Sequence, residues 1–409
     1  MMPLQKFKLA YSSTTIRYSL VTYSAILLNA LSGVALARSL GASERGILAY
    51  YLNFLLLSSF LSGLNFSNAT ARSLPNTVME KSTNSQKLFT SIIMLGFALS
   101  FASALFINEI LVKETYISRF YFFLLLFSNG VSALMSYFDG FWRYTNSIAF
   151  LSITRFTGLA APSILTLLIL FSGHSTLEKL LLSQIFAAQL NLIIIFIFQK
   201  KHTSIVYPTI TTVLKSALLG FPTYCLEYIV VWIVPFLIIH IDGATTLGWY
   251  SVALSFALLA DVAYGAIEAK NYRKLLDLHN SKSLNIVLFI KNISPIIVMH
   301  LIFIPLTFSI PLIFGEDFQK SVLFSFVLVL TRIPIVLARS IISYLISISM
   351  NSATLFIYAS FLATFIYICL KTNIVWFGFH WIPAYVLSSL TMVLFTVLAF
   401  AKVQIGSRR

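Results

Sequence analysis

The chain is a succession of long apolar runs broken by short polar interruptions. Each run is near the roughly 20 residues that an α-helix needs to cross about 30 Å of hydrocarbon. The pattern predicts about twelve spans. They lie at 18–37, 47–67, 88–108, 117–137, 148–171 and 178–198 in the first half of the chain, and at 217–239, 246–267, 284–313, 321–346, 353–371 and 375–400 in the second. A buried strand is also apolar throughout, but strands run to about 4–8 residues. The expected class is therefore an all-α polytopic membrane protein. No connection is long enough to fold by itself, the largest lying near 68–87 and 268–283. That argues against a membrane polymerase, ligase or glycosyltransferase, which would need an extramembrane substrate-binding segment.

One polar interruption echoes another. Gly41-Ala42-Ser43-Glu44-Arg45-Gly46 joins the first two runs, and Gly243-Ala244-Thr245-Thr246-Leu247-Gly248 joins the seventh and eighth. A second echo, Asn146-Ser147 and Asn351-Ser352, follows the fourth run of each half. The longest polar interval near the midpoint, 199–215, separates the halves. We expect two six-helix lobes, 1–203 and 204–409, around a central cavity. Six is even, so both lobes start from the same side and the repeat is parallel, a plan common to secondary transporters.

Composition agrees. The chain is 58% hydrophobic and only 10% charged, with a mean hydropathy of +0.90, where a soluble domain carries about 25% charged residues. The net charge of +15 would suit nucleic acid, but the basic residues are spread over short loops, which membrane topology explains better. With the N-terminus placed in the cytoplasm, nineteen of the 28 Lys and Arg residues fall on the cytoplasmic side and seven on the other. Both ends are therefore expected in the cytoplasm. The first run lacks a cleavage pattern and reads as a retained span. Cys225 and Cys369 both lie in apolar runs, without disulfide or metal spacing. Neither Gly-rich turn is followed by Gly-Lys-Ser/Thr, so nothing points to ATP hydrolysis, and no cofactor is expected. The turns themselves read as tight helix connections. The five tryptophans mostly stand near span ends, as an interfacial belt predicts.

Ionisable residues inside spans are the stronger functional signal, since each costs several kcal/mol unless it faces a cavity or a partner. Arg332 and Arg339 share a face of the tenth span, with Pro334 between them. Two guanidiniums on one face suit a diphosphate, because the planar fork grips phosphate oxygens bidentately. Alternatively they pair with Glu227 or Asp261 and only hold the bundle together. Those carboxylates, on the seventh and eighth spans, are candidates for ion coupling. Lys291 reads as a residue that snorkels to the interface, and His300 as a satisfied buried histidine. In the first half, Arg38, Arg72 and Arg155 could extend a cationic lining. Arg38 and Arg72 taken singly read more simply as interfacial anchors.

The residues that carry these patterns resemble a known family. The stretch Ala37-Arg38-Ser39-Leu40-Gly41-Ala42-Ser43-Glu44-Arg45-Gly46 resembles the signature of the polysaccharide-transport, or O-antigen, flippases. These form a branch of the multidrug/oligosaccharidyl-lipid/polysaccharide exporter (MOP) superfamily. Leu247-Gly248-Trp249-Tyr250-Ser251-Val252-Ala253 and Phe314-Gly315-Glu316-Asp317-Phe318 are similar to further elements of that family. The resemblance implies two lobes in a V and a transporter rather than an enzyme. The implied cargo is an oligosaccharide on undecaprenyl diphosphate, such as an O-antigen repeat unit, moved from the inner to the outer leaflet of a bacterial inner membrane. H+ and Na+ are the candidate coupling ions. The partners implied are the lipid-linked oligosaccharide, the bilayer, a polysaccharide polymerase and a chain-length regulator, with no nucleic acid. The chief alternative is a drug exporter of the same superfamily, which should favour carboxylates in its cavity.

Overall fold

The computed structural model describes residues 13–74, 85–110, 117–144, 148–173, 175–201, 209–261, 286–347, 351–372 and 374–407. Among them the regular structure is helical, apart from one isolated bridge between Trp376 and Phe379. In chain order the helices are α1 (Ser13–Gly63), α2 (Phe66–Ser73), α3 (Ser85–Ile110), α4 (Arg119–Ser128), α5 (Ser132–Tyr144), α6 (Ile148–Phe171) and α7 (Leu177–Lys201). They continue as α8 (Ile210–Ile241), α9 (Gly243–Ala260), α10 (Ile286–Leu306), α11 (Ile310–Phe314), α12 (Ser321–Ser347), α13 (Asn351–Lys371) and α14 (Trp381–Ser407).

Eleven segments of the described chain are long and apolar enough to cross a membrane. The first of them covers 49 residues, Tyr23–Ala71, and at about 1.5 Å per residue it is more than twice as long as a bilayer core is thick. Its helix is interrupted at Gly41, whose φ of 69° and ψ of 178° are not helical. A left-handed φ is one that glycine reaches without a Cβ clash. Taken as two arms meeting at the first Gly-rich turn, α1 makes twelve such segments among the described residues, the number expected.

Two expected spans are placed differently. The fourth does not run unbroken, because α4 and α5 meet in a 3-10 turn at Asn129–Val131 and the helix continues to Tyr144. The last starts at Trp381 rather than 375. Phe377 and Gly378 take positive φ and close a turn instead, and Pro383 falls in the first turn of α14, where its missing N–H costs nothing.

The chain groups into two compact units, Met1–Gly33 with Ser58–Leu219, and Val34–Leu57 with Gly220–Arg409. In the first unit, hydroxyls and amides join the apolar helices. Ser58 meets Ser103 at 3.1 Å and donates to the Leu126 carbonyl at 3.0 Å. Ser59 meets Ser132 at 2.7 Å, Thr166 meets Ser183 at 3.0 Å, and Thr157 bonds to Asn191. Lipid offers no hydrophobic drive for helices to associate, so small polar residues that permit close approach and bond across are the expected adhesive. Phe89, Tyr137, Phe138 and Trp142 form an aromatic cluster.

In the second unit the arms either side of Gly41 pack on α9. The two Gly-rich turns meet there reciprocally. A Cβ on Gly46 would overlap the backbone of Ala244, and a Cβ on Gly248 would overlap the backbone of Ala42. Within each echo the first glycine makes the turn, with φ of 69° at Gly41 and 87° at Gly243. The last glycine removes a side chain so that the other echo can approach. Around this contact Ala37, Ala42, Val252, Phe256, Ile310, Phe314 and Phe318 form one buried cluster. Asn53 Nδ2 donates to the Trp232 carbonyl at 2.9 Å, and Trp249 Nε1 donates to the Asp317 carbonyl at 2.7 Å. The tryptophans depart from a simple interfacial belt. Trp142 and Trp381 are both 1% exposed, Trp381 being enclosed by Tyr250 and Phe324.

Candidate functional site

Two groups of charged residues in the second unit are built on α12. That helix carries Arg332 and Arg339, seven residues and about 10 Å of rise apart. Pro334 between them has no N–H to complete the helical ladder.

The deeper group joins three helices. Arg332 is 8% exposed, and its Nη1 lies 3.2 Å from Asp261 Oδ2, at the end of α9. The other oxygen, Oδ1, lies 2.9 Å from Nε2 of His300 on α10, a histidine with no exposed surface. Arg332 Nε is buried without an acceptor. Tyr250 of α9 and Tyr385 of α14 lie within electrostatic reach of the guanidinium. This ion pair is dry on most sides. Such pairs are held by geometry rather than by a large net energy, since desolvation offsets most of the Coulomb gain.

The second group is looser. Arg339 Nη2 lies 3.9 Å from Glu227 Oε1 of α8, with the side chains 33% and 30% exposed. A guanidinium offers a carboxylate and a phosphate the same fork of donors.

Arg38 does not join these groups. Arg38 Nε donates to the Ile313 carbonyl at 2.8 Å, and its Nη2 donates to the Leu312 carbonyl at 2.7 Å. It therefore caps the carbonyl end of α11, where a cation is favoured. Arg72 is on α2 and Arg155 on α6, but their side chains lie outside the described residues. So do the Lys291 side chain, the Asn146-Ser147 echo and residues 202–208 of the 199–215 linker. No group of His, Cys, Asp or Glu that could hold a metal ion occurs among the described residues.

The sharing of Asp261 between His300 and Arg332 was hidden from the sequence. Hydropathy gives depth in a span but not which face meets which neighbour. A second missed feature is Asp242, between α8 and α9. Its Oδ2 is buried without a partner, as is Nδ1 of His380. Burial raises the Asp242 pKa, and nearby His380 partly opposes the rise. The signal was available: Asp242 precedes the second Gly-rich turn at the position that Leu40 holds before the first.

No sequence-family model matches the chain, and no functionally curated protein matches it. Solved structures do. The lipid II flippase MurJ in an inward closed conformation superposes with a TM-score of 0.67 at 18% identity, covering 96% of this chain and 90% of that one. A multidrug-resistance MATE transporter of the MOP superfamily, outward-facing, gives 0.67 at 12% identity, covering 97% and 96%. A MOP transporter from Pyrococcus furiosus, described as having a binding pocket of reverse polarity, gives 0.65 at 11% identity, covering 96% of each chain. The fold is that of the MOP-superfamily transporters. The MOP fold thus accommodates drug exporters and a lipid-linked flippase alike, over nearly the whole length of this chain.

Proposed function

We propose that this protein is a flippase for an anionic, lipid-linked oligosaccharide, with undecaprenyl-diphosphate-linked O-antigen, capsule or exopolysaccharide repeat units as its cargo. It moves them from the inner to the outer leaflet of a bacterial inner membrane by alternating access. The observation that carries the reading is Arg339, a guanidinium on an apolar helix whose side chain is one-third exposed, 3.9 Å from Glu227. A partly exposed cation within a span favours an anion. Arg332, two turns away, adds a second positive centre. We take Arg155, Arg38 and Arg72 as further contributors to a cationic path, and Glu227 and Asp261 as the carboxylates available for ion coupling. The duplication into lobes 1–203 and 204–409, with both termini cytoplasmic, belongs to the same reading. A diphosphate and its sugars cannot cross hydrocarbon unaided, whereas the polyprenyl tail is at home in lipid. The oligosaccharide polymerase and chain-length regulator are the expected partners downstream.

The test is complementation of cells lacking the protein. Arg339→Ala should abolish surface polysaccharide at normal membrane level of the protein, while lipid-linked repeat units accumulate inside, and Arg339→Lys should restore it in part. Full polysaccharide from the alanine variant would sink the anion path through Arg339.

A second reading, export of organic cations, is favoured by Glu227, which is about as exposed as Arg339. It predicts that a cationic dye binds the purified protein and is lost with Glu227→Gln, whereas the flippase reading predicts competition by a polyprenyl diphosphate.

A further inference from the structure

We propose that residues 374–379 form a membrane-interface anchor, a rigid hairpin whose apolar tip seats in the headgroup layer of the bilayer and takes lipid as its partner. The anchor is independent of the cargo carried.

The hairpin stands between two spans. α13 ends at Lys371 and α14 begins at Trp381, and both helices hold segments fit to cross a membrane. By hydropathy these residues belong to a span themselves, since nothing polar lies between Asn373 and His380. The backbone takes them out of it. Trp376 N–H donates to the Phe379 carbonyl at 3.2 Å, and Phe379 N–H donates to the Trp376 carbonyl at 3.0 Å. Between them Phe377 and Gly378 take φ of 55° and 84°, the positive pair that the tightest hairpin turn requires. Phe379 roots the turn on the bundle, its ring centred 4.8 Å from that of Phe324 and 6.4 Å from that of Trp249.

Two features give the tip a partner outside the chain. The first is Phe377. Glycine or asparagine reaches a left-handed φ readily, whereas a bulky side chain there is an outlier. Such outliers gather where function requires the residue. Packing within the chain does not require this one, because Phe377 is 70% exposed. The second feature is its company. Ile374, Val375 and Trp376 are exposed too, an apolar surface that water penalises. Lipid is the partner favoured, because the patch continues a surface that already faces lipid. Tyr367 and Leu370, near the end of α13, are exposed directly before it. Lys371, in the last turn of that helix, has the reach to set its ammonium among headgroup phosphates. Tryptophan is a side chain that the interface favours. Strand residues advance about 3.3 Å each, so the few on either side of the turn hold its tip within about 10 Å of the span ends. A headgroup layer is about 5–8 Å deep, and the hairpin is short enough to lie in it. Seated there, it fixes the depth at which α13 ends and α14 begins, as interfacial anchors do.

The test is tryptophan emission from the full chain in phosphatidylcholine nanodiscs. The chain has five tryptophans, so the emission of Trp376 is obtained as wild type minus Trp376→Phe. It should lose most of its intensity when the lipid is replaced by phosphatidylcholine brominated near the ester end of its acyl chains. Iodide added to the water should remove little. A second reporter, at the tip itself, is the emission of Phe377→Trp minus that of wild type. It should behave in the same way, and it does not depend on Trp376→Phe leaving the hairpin intact. Quenching by iodide as strong as that by brominated lipid, at both positions, overturns the proposal and makes the tip a surface for a protein partner in the water. Quenching by neither puts the tip inside the protein and overturns it equally.

Discussion

Arg332 and Arg339 look equivalent in sequence and are not equivalent in the structure. Arg332 is enclosed with Asp261 and His300, whereas Arg339 is one-third exposed. Removing one partner of an enclosed pair leaves the other buried and uncompensated, at a cost of about 3–5 kcal/mol. Arg332→Ala should therefore lower both the yield of folded protein and its thermal midpoint, and Arg339→Ala should do neither. Equal stability of the two variants in a detergent thermofluor assay would contradict this division. Asp242 makes a prediction about pH. Burial raises its pKa in the folded protein, so the folded state binds its proton more readily than the unfolded state does. The resulting stability is complete below the ordinary carboxylate value of about 3.9 and is lost as the pH rises through the raised value. Asp242→Asn should remove that slope from the pH dependence of the thermal midpoint and melt higher than wild type at neutral pH. At this scale the sequence was informative about which residue types were unusual at their depth. It was silent on partnership, because a hydropathy run has no marker for which way a side chain leaves the helix. Both 39-residue and 71-residue separations are invisible to it, as the Asp261 bonds to His300 and Arg332 illustrate.

At the scale of elements, spans were legible because length and apolarity alone define them. The ends of spans were not. The start of α14 depends on a Phe377-Gly378 turn, and the break between α4 and α5 depends on a local 3-10 turn at Asn129–Val131. Ser128-Asn129-Gly130 and Gly378 mark both places, but each interruption is too short to end an apolar run. The Gly-rich echoes were legible as turns, but their mutual packing was not, since each needs the other to be in place. Gly46→Ala and Gly248→Ala each insert a methyl group into facing backbone, and overpacking of that kind costs about 1–3 kcal/mol. Both variants should lose thermal stability by similar amounts. Combining them should cost less than the sum, because the first displacement makes room for the second. Strict additivity, measured by denaturation of the purified proteins, would show that the two glycines act apart.

At the scale of the whole molecule, twelve spans with a repeated turn gave a duplicated helical transporter plan, and the MOP fold was within reach through the resemblance at residues 37–46, 247–253 and 314–318. The cargo was not, since drug exporters and a lipid-linked flippase share that fold at low identity. The meeting of Gly46 with Ala244 and of Gly248 with Ala42 has a consequence for synthesis. The first turn is made roughly 200 residues before its counterpart, and at about 5–20 residues per second the ribosome takes roughly 10–40 s to supply it. During that interval the nascent hairpin enters the membrane with a bare strip of backbone and no mate. A fragment ending at 203 should insert yet be cleared by membrane proteases, and co-expression of 204–409 should rescue its abundance, read by quantitative blotting. If the fragment alone persisted at the level of the pair, the early hairpin would have found another shelter. Translational pauses between the two turns would then be harmless, whereas under the timing set out here they lengthen the period in which the unfinished chain is open to quality control.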